Sequence, residues 1–181
     1  MPTQAPPMVT TQVYRVYIRA TPQAIWDAIT KPEWSQRYGY GGFVEYDGFG
    51  SGSGYRARPS EEMKAAGDAM GFPTPDVVID GEVIEADPPS RLVQTWRMLM
   101  DPATAAEGFT RLTYEISEGQ GGVSRLTLTH ELEGAPKLAA ILSGGAEGEG
   151  AGGGWAWVLS DLKSLLETGS RMDPTDGLNQ G

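Results

Sequence analysis

Near the end of the chain, Trp155, Val158, Leu159, Leu162, Leu165 and Leu166 recur three or four residues apart, the spacing that lays side chains along one stripe of a helix. Ala156, Ser160, Lys163 and Glu167 fall on the opposite face, and Gly169 stands where a left-handed residue closes a helix without a Cβ clash. A stripe this apolar has to be covered. Most other periodic segments alternate with period two, the signature of strands with one wet face. The pattern therefore predicts one long helix held in the concave face of an antiparallel sheet.

The first strand is expected at Val13–Ala20, with Tyr14, Val16, Ile18 and Ala20 sharing a face. Thr21-Pro22 is an N-cap followed by a first-turn proline, and opens a helix carrying Ile25, Trp26 and Ile29. Pro32 interrupts it and starts a short turn with Trp34 and Tyr38. The glycines between Gly39 and Gly54 mark short strands and tight turns around Phe43, Val44, Tyr46 and Phe49. Tyr55–Arg58 continues the third strand up to Pro59, with Arg56 and Arg58 on its solvated phase. Residues 60–76 interrupt the strand series: Ser60 caps a helix with Glu61 and Glu62 in its first turn and Met63, Ala66 and Met70 along one side, either a lid or a surface excursion. Strands follow at Val77–Glu85, Arg91–Met100, Phe109–Glu118 and Gly122–Leu132, the third reached through a loop over Asp101–Gly108. Pro136 opens a short amphipathic stretch. The glycine-rich segment 143–153 reads as a hinge, because each interior glycine costs a helix roughly 0.5–1 kcal/mol relative to alanine. Residues 1–12 and 170–181 are aperiodic and read as disordered tails around a single domain, 13–169.

Composition narrows the function. The formal charge of −10, from 14 basic and 24 acidic side chains, repels phosphate backbones and anionic lipid heads, which disfavours nucleic acid and membrane as partners. There is no cysteine, so disulfides and thiolate metal sites are excluded. The single histidine and the lack of a carboxylate pair at ligand spacing give no metal site, and no cofactor motif is present. Gly48-x-Gly50-x-Gly52-x-Gly54 lacks the lysine and following helix of a phosphate loop and reads as a hairpin. The first residues, MPTQAPPMVTTQ, have neither a basic start nor an apolar core and do not read as a signal peptide, and no run is long enough to span a bilayer, so cytoplasm is the expected compartment.

Four stretches carry a family resemblance: VYIRATPQAIWDAIT at 16–30, PPSRLVQTW at 88–96, RLTLTH at 125–130, and GGW at 153–155 with LLETG at 165–169. Together they resemble the START-like (SRPBCC) superfamily and, within it, bacterial relatives of the heat-shock chaperone ATPase activator, over roughly residues 13–169. The resemblance implies an α+β helix-grip fold: about six to seven antiparallel strands wrapped around the C-terminal helix, with two small helices after the first strand. A sheet around one helix does not close along its whole length, and the space left is where a small apolar molecule would bind.

Candidate lining residues are Trp34, Trp96, Met98, Met100, Tyr114, His130, Trp155 and Leu159. Each is equally a core residue by itself; together they make an adaptable aromatic and thioether lining. His130 lies on the inward phase of its strand with Leu126, Leu128 and Leu132, either as a satisfied structural residue or as a polar anchor or acid/base at the cavity wall. Glu131 points to the other face, so the two form no dyad. Three functions stay open: a carrier or sensor of a small apolar, lipid-like or aromatic molecule, an enzyme of the cyclase/dehydratase kind using His130, and a chaperone-interacting protein. A homodimer is compatible with each.

Overall fold

Alternation of apolar and polar side chains builds the sheet. The computed structural model, which describes residues 10–40, 42–71, 73–145 and 153–172, has a seven-stranded antiparallel sheet in the order β1-β7-β6-β5-β4-β3-β2. The strands are β1 (Thr11–Ile18), β2 (Phe43–Tyr46), β3 (Gly54–Arg58), β4 (Ile79–Asp87), β5 (Arg91–Met98), β6 (Thr110–Glu118) and β7 (Ser124–Glu131). In β7 the inward series Ser124, Leu126, Leu128 and His130 is buried, while Arg125 and Glu131 are exposed. The outward faces carry cross-strand ion pairs: Arg91 with Glu85 and Glu115, Arg97 with Asp80, and Arg56 with Asp47 and Glu45. Arg56 and Arg58, expected to be simply solvated, both reach Glu45 on the neighbouring strand. Such surface pairs each contribute about 0–1 kcal/mol, so the core carries the fold.

The concave face of the sheet is filled from one side by helices. After β1 come α1 (Pro22–Thr30) and the single turn α2 (Pro32–Ser35); the Thr21 hydroxyl accepts the Ala24 amide at 3.1 Å, the cap expected from Thr21-Pro22. The long helix α6 (Gly154–Thr168) ends at Gly169, which adopts φ +82°. Its stripe Trp155, Leu159, Leu162 and Leu165 is buried, the first three in one cluster with Ile18, Ile25, Leu112, Leu126 and Leu128. This is the α+β helix-grip arrangement.

Several expected element ends need correction, among them β4, which runs Ile79–Asp87 rather than Val77–Glu85, and β7, which runs Ser124–Glu131 rather than Gly122–Leu132. Strand β1 begins at Thr11 rather than Val13, because Thr11 pairs with Glu131 and Thr10 accepts the Leu132 amide. Strand β5 ends at Met98 rather than Met100, and the loop expected over Asp101–Gly108 contains a helical turn, α4 (Pro102–Ala105), started by the Asp101 carboxylate on the Ala103 amide at 3.1 Å. The chain after α6 stays attached through Met172 instead of leaving at Ser170. The rest of the expected tails, residues 1–9 and 173–181, and residues 146–152 of the expected hinge lie outside the described residues.

The inserted segment forms α3 (Glu61–Ala69), capped by Ser60 on the Met63 amide at 3.1 Å. None of its side chains is buried, and Met70, just beyond it, is 69% exposed. The stretch opened by Pro136 forms α5 (Pro136–Leu142), whose own N-cap, Ala135, offers no side-chain acceptor. Glu107, from the α4–β6 connection, takes that role, accepting the Lys137 amide at Oε2 and the Leu138 amide at Oε1, both at 2.9 Å. Replacing Glu107 by alanine is expected to cost about 1 kcal/mol, read as a lower urea midpoint at unchanged slope, because two orphan amides lose their acceptor.

Candidate functional site

The inward alternation of β7 puts His130 in a fully buried position, 0% exposed, with Trp96 from β5 and Trp155 from the first turn of α6 around it. Trp96 meets the imidazole edge-on, with ring centroids 5.2 Å apart at 82°. An indole nitrogen is only a donor, so the Trp155 Nε1–H, 3.1 Å from His130 Nδ1, makes Nδ1 the acceptor. The ring proton then sits on Nε2 and is donated to Thr110 Oγ1 at 2.7 Å, while the Thr110 hydroxyl donates to the Trp96 carbonyl at 2.9 Å. The chain of bonds from Trp155 through His130 and Thr110 to the β5 backbone satisfies every polar atom of a neutral imidazole. Burial pushes its pKa down, to about 3, because the imidazolium would have no anion and little solvent. Both ring nitrogens are thus committed within the protein.

Of the other residues named from sequence, Leu159 lies one helical turn beyond Trp155 and is buried, and Tyr114 and Met98 are partly buried on the inner face of the sheet. Trp34, on α2, packs at the edge of the same core with the Arg37 guanidinium 4.7 Å from its ring centroid. Met100 is not brought to this group: it lies past the end of β5 and is 47% exposed. Its place in the alternation was lost when the strand stopped at Met98.

Sequence reasoning missed the most polar part of the inner face. Tyr46 from β2 donates its hydroxyl to Gln94 Oε1 at 2.7 Å, and Gln94, on β5, is 2% exposed. Tyr46 and Tyr55 stack with centroids 5.0 Å apart, and Tyr55 reaches across β4 to donate to the Thr95 carbonyl. That crossing needs Gly81, which lies opposite Tyr55: a Cβ there would collide with the Tyr55 ring and the Thr95 carbonyl. Tyr38 donates to the Ala28 carbonyl at 2.9 Å. Burial pushes the phenols of Tyr38, Tyr46, Tyr55 and Tyr114 above the ordinary tyrosine range, and Tyr114 adds to the effect on each of the other three. Each of the four hydroxyls is poorly solvated. Tyr38, Tyr46 and Tyr114 nevertheless keep part of their surface accessible. Aromatic residues separated by 8 to 76 positions in sequence give no local signal of this arrangement.

Asp161 holds α6 against the α2–β2 loop. It is 0% exposed, accepts the Gly39 amide at 2.8 Å and the Met172 amide at 2.6 Å, and lies 3.6 Å from Arg171 Nε. The Arg171 guanidinium also donates to the Gly39 carbonyl at 2.8 Å. A buried carboxylate is tolerable only with such partners. At the other end of the helix, Gly154 has φ +68°, and a Cβ would strike the Leu142 carbonyl of α5. These contacts fix the helix and with it Trp155. Among the described residues no group of three or more His, Asp or Glu side chains is placed to hold a metal, and no helix is long and apolar enough to cross a membrane.

In sequence no curated protein matches the chain. In structure it is similar to the BPP1335 protein of Bordetella parapertussis (TM-score 0.60, 21% identity, 91% of this chain and 78% of that one). It is similar also to DynU16, described as a putative protein in the dynemicin biosynthetic locus (TM-score 0.58, 20% identity, 91% of this chain and 51% of that one). A third likeness is to the Aha1 dimer of Colwellia psychrerythraea (TM-score 0.55, 18% identity, 89% of this chain and 98% of that one). At these identities the likenesses establish the shared fold and nothing narrower. The family model described as "Activator of Hsp90 ATPase homolog 1-like protein" matches residues 19–167, from the end of β1 to the last turn of α6. The chain belongs to this family, within the START-like superfamily whose helix grip its sheet and C-terminal helix form.

Proposed function

We propose that the protein binds a small, mainly apolar molecule between the inner face of the sheet and α6, as a carrier or sensor. The observation that carries this reading is the paired behaviour of Tyr38, Tyr46 and Tyr114. Their side chains keep accessible surface, yet their hydroxyls sit where the phenolate is strongly disfavoured. Half-buried tyrosines with desolvated hydroxyls are what the wall of an inward-facing space would present. Trp34, Met98 and Val158, partly buried against the same core, extend the lining. Aromatic rings and a thioether accept differently shaped apolar bodies with little reorganisation.

Proton-transfer catalysis by His130 fits this geometry poorly. A substrate would first have to displace Trp155 Nε1 or Thr110 Oγ1, and the ring, with its pKa at about 3, is a weak base. Self-association is the reading behind ligand binding: β1 is an edge strand, its outward Val13 and Tyr17 are 58% and 54% exposed, and a solved relative is a dimer. Chaperone contact rests on the family description alone.

Native mass spectrometry of the full chain purified from its own host tests the proposal. A retained small molecule of low polarity, released on denaturation, is the expected result. A protein that carries nothing and also fails to bind uncharged naphthalene derivatives at micromolar concentration would overturn it.

A further inference from the structure

Three polar groups of the inner face have incomplete bonding among the described residues, Gln94 Nε2, the Tyr114 hydroxyl and the Trp96 indole nitrogen, and the register sets the first two side by side. Gln94 is 2% exposed, and its Oε1 accepts the Tyr46 hydroxyl, but its Nε2 has no hydrogen-bond partner among the described residues. The Tyr114 hydroxyl also lacks one, whereas the hydroxyls of Tyr38, Tyr46 and Tyr55 are all engaged. Among the described residues, the side-chain polar atom that is fully enclosed and unpaired is Arg171 Nε. Gln94 Nε2 and the Tyr114 hydroxyl therefore border open space rather than packed protein. Leaving a buried amide donor unpaired costs about 1–3 kcal/mol, so a position of this kind calls for a partner supplied from that space.

The register brings the two groups within reach of one ligand. Gln94 lies opposite Leu112 on β6, and Tyr114 is the next inward residue on that strand. Such diagonal neighbours stand roughly 7–8 Å apart, which leaves room for one oxygen to receive hydrogen bonds from both side chains. The Tyr46 hydroxyl fixes the orientation of the amide by holding Oε1, so the N–H groups point away from it. The amide can only donate and the phenol can donate, so one acceptor in the ligand satisfies both.

Charge selects further. The inward series of the central strands, Val83 on β4, Leu92, Gln94 and Trp96 on β5, and Leu112 and Tyr114 on β6, contains no cation, and His130 beside it is neutral. Arg171, in the chain that follows α6, is already held by Asp161 and the Gly39 carbonyl. An anionic ligand would be desolvated with nothing to compensate it. We infer that Gln94 and Tyr114 are a polar anchor for a carbonyl oxygen, of the ketone, lactone or quinone kind, on a neutral and largely planar apolar molecule. This rests on the reading of the inner face as a binding site and specifies what that site takes.

Equilibrium dialysis of the full chain against three probes of similar size tests it: 2-acetylnaphthalene, 2-isopropylnaphthalene and 2-naphthoate. The ketone is expected to bind about tenfold more tightly than the hydrocarbon, as for two net hydrogen bonds of ordinary strength, and the carboxylate more weakly than the ketone. In the double variant Tyr46→Phe/Gln94→Leu, which leaves no hydroxyl orphaned, the ketone should fall to the affinity of the hydrocarbon while the hydrocarbon is unchanged. Tyr114→Phe should lower ketone binding alone, by roughly fivefold. Circular dichroism melting checks both variants for folding, and if the double variant does not fold, Tyr114→Phe, which removes one oxygen, decides. Equal binding of ketone and hydrocarbon by the native chain, or a ketone preference that survives the substitutions, overturns the anchor and leaves the apolar site standing. Tighter binding of the carboxylate overturns the neutral ligand. Failure of all three probes to bind overturns the anchor, and together with a native mass spectrum free of any retained molecule it overturns the site as well.

Discussion

Truncating Trp155 to alanine is expected to lower stability by about 4–5 kcal/mol, the upper part of the range for a large aromatic removed from a core. The indole is 7% exposed and packs against Trp96, with ring centroids 5.9 Å apart, so its loss opens a cavity at the root of α6. A second effect adds to the first. Trp155 Nε1–H is the donor that satisfies His130 Nδ1, and without it a fully buried acceptor is left unpaired. The neighbourhood cannot simply collapse, because Gly154 is pressed against the Leu142 carbonyl and Asp161 pins the helix further along. Urea unfolding followed by circular dichroism measures the loss. Trp155→Phe separates the two effects: it keeps most of the ring and removes the donor, and should cost about 1–3 kcal/mol. A loss below about 1 kcal/mol for the alanine variant would mean that the helix face assigned to the core is wrong.

How much of this was legible in the chain depends on whether the cause was local. The stripe of α6, its closure at Gly169, the cap at Thr21 and the alternation of β7 are period effects, and the structure has each of them. Periodicity also placed His130 inward, and so set it beside Leu126 and Leu128. What it could not supply was the bonding: Thr110 and Trp155 are 20 and 25 residues away, and only the folded sheet and helix make them partners. Asp161 shows the opposite limit. A charged residue inside a helical period reads as solvent-facing, yet it is buried because the Gly39 amide and the chain at Met172 close over it. The glycine-rich stretch shows a third. Glycine content reads as freedom, but at Gly154 the residue is required by close approach of α5 to α6.

The same division explains the candidate site. Trp96, His130 and Trp155 were named from sequence because each sits on an inward phase, and they do converge. They converge as a cluster in which His130, bonded through both ring nitrogens, has none left to offer. Gln94 has the same inward phase on β5 as Leu92 and Trp96, and that phase alone was a signal that a polar amide would be buried. A buried glutamine between two apolar neighbours of the same face is a stronger pointer to a binding function than a large aromatic there, since aromatics fill cores by default.

The pH dependence of stability should show the other large effect, and the sign follows from His130. In the folded protein its pKa is about 3, against about 6.5 for an unfolded chain, so between these values the unfolded state carries a proton that the native state refuses. Stability is therefore complete above pH 6.5 and falls as the pH is lowered, by about 1.4 kcal/mol per pH unit once well below 6.5. From pH 7 to pH 5 the loss should be about 2 kcal/mol, and by pH 4 about 3 kcal/mol. Glu167, held down chiefly by its hydrogen bond to Lys163, begins to lose its contribution only in more acid solution. His130 is the chain's only histidine, so the slope between pH 7 and pH 5 belongs to it. Urea midpoints at half-unit intervals measure the slope, and NMR of the ring measures the pKa independently. His130→Gln should be less stable at pH 7, where it cannot satisfy Trp155 and Thr110 with the same geometry, and nearly flat from pH 7 to pH 5. Its curve and that of the native chain should draw together as the pH falls. A native profile flat over that window, or a ring that titrates at or above 6.5, would mean that the imidazole is solvated or paired with an acid. The bonded cluster around Trp155 would then not be the one described.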